Sequence, residues 1–169
     1  MQVRIALTLC VVLCGAFCGH SLTVAQRQRA ALLRALTEGL RVLKIHMTGM
    51  FEPIQDALGH SDCTLLRSVS SQMSEGVSAW AAWQAVRKSG RGRRGSSVGA
   101  LEESDCVVLD RFFERLGESG REEQELLLEG TVQALEVQCE KAEKKSAEAD
   151  RLYLKLGLLV GLMLALIVI

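Results

Sequence analysis

The sequence predicts an all-α chain: a helical bundle of about six helices with an antiparallel long-helix stalk between two transmembrane helices. Three observations predict it. Leucines recur at helical spacing in two long stretches, one near each end. Pro53 is the single proline and β-branched runs are few, whereas an all-β sandwich or barrel needs many turns. Acids are confined to the middle, none preceding Glu38 and none following Asp150. The 169 residues carry 20 Lys+Arg against 20 Asp+Glu. That balance excludes a generally basic nucleic-acid binder and a polyacidic tail protein.

Residues 1–24 open with Arg4 and an apolar run from Ile5 to Cys18, which weakens through His20, Ser21 and Thr23. A secretory signal cleaved after Ala25 has this shape, and so has a retained membrane helix. Charge asymmetry favours the second reading. Arg27, Arg29, Arg34, Arg41 and Lys44 follow the first segment. Lys141, Lys144, Lys145, Arg151 and Lys155 flank the last one. The positive-inside rule then puts residues 25–151 in the cytoplasm and both termini outside. Cysteine usage agrees. Cys10, Cys14 and Cys18 read as small apolar residues on one helix face. Cys63, Cys106 and Cys139 are odd in number, with no C-x-x-C and no His at metal-ligand spacing, which suits a reducing compartment.

Residues 25–151 hold 18 Lys+Arg and 20 acids, a net of −2. Leu33, Leu36, Leu40, Leu43 and Met47 keep the 3,4 spacing of one helix face, which Gly49 stops. Pro53 suits the first turn of a short helix to Leu58, closed by Gly59. Ser61 or Asp62 caps the next, whose inner face is Leu66, Val69 and Met73 and whose stop is Gly76. Ser78 caps a helix carrying Trp80, Trp83 and Val86. Ser89 to Gly99, SGRGRRGSSVG, is a flexible loop. With Arg87 and Lys88 it holds five positive charges and no acid. It is either a solvated linker or a docking surface for an acidic partner or lipid headgroups through Arg91, Arg93 and Arg94. No aromatic is interleaved with these arginines, so nucleic acid is not the expected ligand.

A helix resumes near Glu102 or Ser104 and buries Leu109, Phe112, Phe113 and Leu116 before Gly117. Ser119 and Glu122 then fit a capping box. Leu128, Val132, Leu135, Cys139, Ala142, Ser146, Ala149, Tyr153 and Leu156 alternate 4,3 without a proline, a seam of coiled-coil type. Residues 152–169 contain one charge, Lys155. Eighteen helical residues reach about 27 Å, close to the ~30 Å of a hydrocarbon core. Lys155 and Tyr153 suit the membrane interface, and Gly157 with Gly161 allows close packing of another membrane helix.

Catalytic patterns are missing: no P-loop, no G-x-G-x-x-G, no H-E-x-x-H and no G-x-S-x-G. His20, His46 and His60 share no spacing. The adjacent acids Glu102/Glu103 and Glu122/Glu123 diverge around a helix and read as charged helix starts. No cofactor, metal or small-molecule substrate is expected.

Four ordered stretches carry a family resemblance: Leu36 to Leu58 (LTEGLRVLKIHMTGMFEPIQDAL), Glu75 to Val86 (EGVSAWAAWQAV), Leu109 to Gln124 (LDRFFERLGESGREEQ, with its Ser-x-x-x-x-Gln) and Arg151 to Gly161 (RLYLKLGLLVG). The chain resembles the stage III sporulation protein AB family of endospore-forming bacteria. It departs from that pattern at Met50-Phe51-Glu52 and at Gly120. The resemblance implies a helical cytoplasmic domain between two membrane helices, similar in fold to the platform protein of type II secretion and type IV pilus systems. It implies a non-enzymatic part of the channel complex between mother cell and forespore, in the mother-cell membrane facing the forespore, holding a secretion ATPase among other channel subunits. Arg91, Arg93, Arg94 and the turn from Gly117 to Gln124 are the candidate contacts, on exposure and charge. The alternative is an exported, tail-anchored helical binding protein with a cleaved signal.

Overall fold

The computed structural model describes the backbone of residues 2–73, 76–90 and 96–168, and side chains within 24–73, 76–90 and 96–152. All regular structure among the described residues is helical. The helices are α1 (Gln2–Gly49), α2 (Ile54–Gly59), α3 (Thr64–Met73), α4 (Ala79–Gly90), α5 (Glu103–Arg115) and α6 (Arg121–Val168), with a 3₁₀ turn at Val98–Ala100. The chain divides into two compact units, Met1–Gln28 with Lys141–Ile169, and Arg29–Glu140.

The larger unit is built on the leucine periodicity. Leu33, Leu36, Leu40 and Leu43 are fully buried, and so are Leu128 and Leu135 of α6. The 3.6-residue repeat puts each set on one stripe. Leu58, Leu65, Leu66, Val69, Trp83, Leu109, Phe112 and Phe113 complete the core. The Trp83 and Phe113 rings stack 5.2 Å apart, and Phe112 meets Phe113 edge-on. A Cβ on Gly39 would lie 2.6 Å from Leu66 Cδ1, so this glycine lets α3 approach α1. Arg41 pairs with Glu136, and Lys44 with Glu129 at 2.5 Å and Glu125 at 3.1 Å. Rising numbers on α1 meet falling numbers on α6, so the two run antiparallel, as the stalk reading expects.

One charged pair is buried among the described residues. Arg29, 2% exposed, sends Nε to Asp105 Oδ2 (2.7 Å) and Nη2 to Oδ1 (2.8 Å), a two-toothed fork onto a carboxylate that is itself fully buried. Its Nη1 lies 2.7 Å from Glu102 Oε1, an ion pair whose angle falls short of a hydrogen bond. The bond to Asp105 holds the guanidinium above its ordinary pKa, against the opposing effect of burial. Asp105 also accepts from the Glu102 N–H at 3.0 Å, one half of a capping box that starts α5. Removing either partner would strand a buried charge, at a cost of about 3–5 kcal/mol.

The helix ends correct several expectations by a few residues. Ser78 caps α4 through the Ala81 N–H (3.3 Å). Ser61 instead turns back to the Leu58 carbonyl (3.0 Å), and Asp62 is fully exposed, so neither caps α3. The capping box lies at Glu102/Asp105 rather than Ser119/Glu122. Gly49 is the last residue of α1 but not its left-handed stop, because the positive φ falls on Phe51 (59°). Gly76 and Gly117 do take positive φ, at 79° and 87°.

In the smaller unit, Arg27 Nη2 meets Asp150 Oδ2 at 2.8 Å, and Ala142 and Ser146 are buried, which extends the α6 seam as the spacing predicts. Among the described residues no helix is long and apolar enough to cross a membrane. Apart from Val24 and Leu152, the side chains of the two apolar segments expected to be transmembrane helices lie outside those residues, with Tyr153, Lys155, Gly157 and Gly161 among them; α6 continues helically through all four.

Candidate functional site

Two turns meet at one end of the larger unit. The first joins α1 to α2 through residues 50–53, and the second joins α5 to α6 through residues 116–120. Ile54 Cδ1 lies 3.0 Å from where a Cβ on Gly117 would be, and the Arg121 guanidinium sits 4.1 Å above the Phe51 ring.

The first turn is built against local preference. Helices commonly end on a left-handed glycine. Here the residue is Phe51, whose Cβ makes that conformation cost about 1–2 kcal/mol. The His46 carbonyl accepts from the N–H groups of both Met50 (3.2 Å) and Glu52 (3.3 Å), which holds the reversal. The result is a bulky ring left 73% exposed; Met50 and Ile45 are exposed too. A strained backbone that puts an aromatic ring into water does nothing for the core. Strain of this kind gathers at functional sites.

The reversal also brings side chains together. His46 Nδ1 lies 2.9 Å from Glu52 Oε2, and His60 Nε2 lies 3.5 Å from the same oxygen. The two imidazoles stack with centroids 4.7 Å apart. The three candidate ligand atoms all lie within 4.8 Å of one another. Sequence spacing concealed this, because His46 lies in the last turn of α1 while His60 is the C-terminal cap of α2. The usable signal was the short hairpin of helices, which folds its two ends together.

The second turn is a clamp. Gln124, expected in an exposed turn, is 5% exposed. Its Oε1 accepts from the Gly117 N–H (3.2 Å), and its Nε2 donates to the Arg115 carbonyl (3.0 Å) and Ser119 Oγ (2.8 Å). The Ser-x-x-x-x-Gln spacing therefore satisfies the end of α5. Gln124 faces inward, and the rest of the turn, from Glu118 to Glu123, stays at the surface. Arg91, Arg93 and Arg94 lie outside the described residues. Their neighbour Arg87 is not free, since it pairs with Asp110 (2.5 Å) and Glu103 (2.7 Å), and Asp110 also accepts from Trp83 Nε1 (2.6 Å).

The three cysteines whose side chains are described are placed for packing. Cys63 and Cys106 are buried, and burial pushes the Cys106 thiol up, which makes it a poor nucleophile. Cys139 is half-buried and donates to the Ala30 carbonyl at 3.7 Å.

The model of the stage III sporulation protein AB family matches residues 4–169. A solved structure described as stage III sporulation protein AB (SpoIIIAB) is 24% identical and superposes with a TM-score of 0.58, covering 71% of this chain and 97% of that one. That likeness speaks to the fold. No curated protein sequence matches the chain.

Proposed function

The chain belongs to the stage III sporulation protein AB family, and from that premise we propose that it is a non-enzymatic, membrane-anchored platform in the channel complex between mother cell and forespore. It is a sporulation protein of a structural rather than an enzymatic family. Residues 152–169 and the run from Ile5 to Cys18 have the composition of membrane anchors. The larger helical unit then faces the mother-cell cytoplasm and carries a secretion ATPase and other channel subunits.

The observation that carries this reading is the exposed, left-handed Phe51 at the junction of two turns. An aromatic ring in an energetically costly conformation is the pattern of a protein-binding anchor, since buried aromatics dominate interface energetics. Arg91, Arg93 and Arg94 supply a second proposed contact, of complementary charge to an acidic surface.

Co-purification from membranes of sporulating cells tests it. Phe51→Ser should deplete the ATPase from complexes isolated through the full-length protein, and charge reversal at Arg91, Arg93 and Arg94 should do so by a second route. Undiminished ATPase with both variants would overturn the platform reading. Topology needs its own probe. Cys63 and Cys106 are buried and would resist an impermeant thiol reagent on either side of the membrane. Asp62→Cys, at a fully exposed position, should resist the reagent in intact cells and react after permeabilisation. Labelling in intact cells would instead indicate an exported protein.

A further inference from the structure

We propose that His46, Glu52 and His60 form a binding site for a divalent transition-metal cation, zinc fitting best. The site goes beyond the platform role and does not depend on it.

Ligand chemistry is the first argument. Two imidazoles and a carboxylate are the donor set of three-ligand zinc sites, in which water or another ligand takes the fourth position. Three segments supply them: the last turn of α1, the strained turn and the cap of α2. Spacing is the second argument. Bonds of about 2.0–2.1 Å in a tetrahedron hold donor atoms roughly 3.4 Å apart. Glu52 Oε2 lies 2.9 Å from His46 Nδ1 and 3.5 Å from His60 Nε2, which brackets that value.

Charge is the third. The buried Asp105 faces the Arg29 guanidinium and the half-buried Asp110 faces that of Arg87. The partners of Glu52 are two imidazoles, whose nitrogens can donate a lone pair as readily as a proton. An ion would take the place of the hydrogen bond between His46 Nδ1 and Glu52 Oε2.

Access is the last. The rings are nearly parallel, at 15°, so a shared ion would lie off at least one ring plane until a ring turns. The His60 side chain is 54% exposed and free to turn about its broad outer torsion. The more enclosed His46 is the fixed member. Once bound, the ion would join the end of α1 to the end of α2 and fix the backbone that presents Phe51.

Zinc chloride titrated into the full-length protein, purified in detergent and stripped with a chelator, tests the site in competition with a chromophoric chelator. One equivalent should bind per chain and raise the thermal midpoint. His46→Ala, Glu52→Gln and His60→Gln should each weaken binding at least ~tenfold, the lower limit even for outer-shell partners of metal ligands. They should also abolish the midpoint shift. His60→Gln decides the matter, since an exposed side chain is dispensable for folding. Zinc affinity unchanged in that variant would overturn the site. So would near-ultraviolet charge-transfer bands from sulfur on cobalt substitution, which would assign the ion to the cysteines.

Discussion

The two turns at this end of the protein solve the same geometric problem in opposite ways. The α5–α6 turn follows the rules of chain reversal. A glycine takes the left-handed position, and the buried Gln124 amide satisfies the helix end it leaves behind. The α1–α2 turn breaks them, with Phe51 where glycine belongs and an aromatic ring in solvent. Consistency between local preference and fold is what specifies a structure, and departures from it gather at sites selected for something else. The comparison assigns stability to the first turn and recognition to the second. Substitutions in the two turns should therefore differ in sign as well as size.

Of the substitutions in the two turns, the largest effect is expected from Gln124→Ala. It leaves the Gly117 N–H and the Arg115 carbonyl without their side-chain partner at a position 5% exposed. Unmet buried polar groups cost about 1–3 kcal/mol, measurable as a lowered midpoint in thermal or denaturant unfolding. A neutral Gln124→Ala would mean that water reaches the end of α5 and that the turn is no clamp.

Exchanging glycine in each turn sharpens the contrast. Gly117→Ala puts a Cβ into a φ of 87°, 3.0 Å from Ile54 Cδ1, and should destabilise by about 1–2 kcal/mol. Phe51→Gly works the other way. It relieves about 1–2 kcal/mol of backbone strain and loses a cation–π contact with Arg121 of about 0.5–1 kcal/mol. Stability should hold or rise slightly while partner binding falls. A Phe51→Gly protein clearly less stable than wild type would show that the ring packs for the fold, and the functional assignment of this turn would go with it.

The parts of this architecture legible in the sequence are those fixed by period. Leu33, Leu36, Leu40 and Leu43 and the α6 seam through Leu128, Leu135 and Ala142 follow from spacing alone, since a helix puts such positions on one face. Phe112, Phe113 and Trp83 follow from the same rule. What was not legible depends on partners distant in the chain. Arg29 sits in a basic run and reads as a membrane-flanking charge, yet it is buried because Asp105 reaches it from α5. Gln124 reads as a polar surface residue at a helix start, but three inward hydrogen bonds enclose it. His46 and His60 look unrelated until the hairpin of α1 and α2 closes. Periodicity reports which face of one helix is apolar. It carries no information on which polar group of another element completes a pair.

The smallest effect separates the two turns by pH. Lys44, on the last turns of α1, is held above its ordinary pKa by hydrogen bonds to Glu129 and Glu125 on α6. A lysine whose folded pKa is raised contributes fully below the unfolded value, here 10.5, and loses that contribution as pH rises through the folded value. The contact of Lys44 with the start of α6 should thus weaken in strong alkali. The Gln124 clamp is uncharged and has nothing to titrate. Lys44→Met should be slightly less stable than wild type at neutral pH, and the gap should close above 10.5, while the deficit of Gln124→Ala persists across the same range. Thermal midpoints of both variants at neutral and alkaline pH check this. A Lys44→Met gap that stayed constant across this range would place the lysine's contribution in its aliphatic stem rather than its charge, and the two turns would then share one pH-independent anchorage.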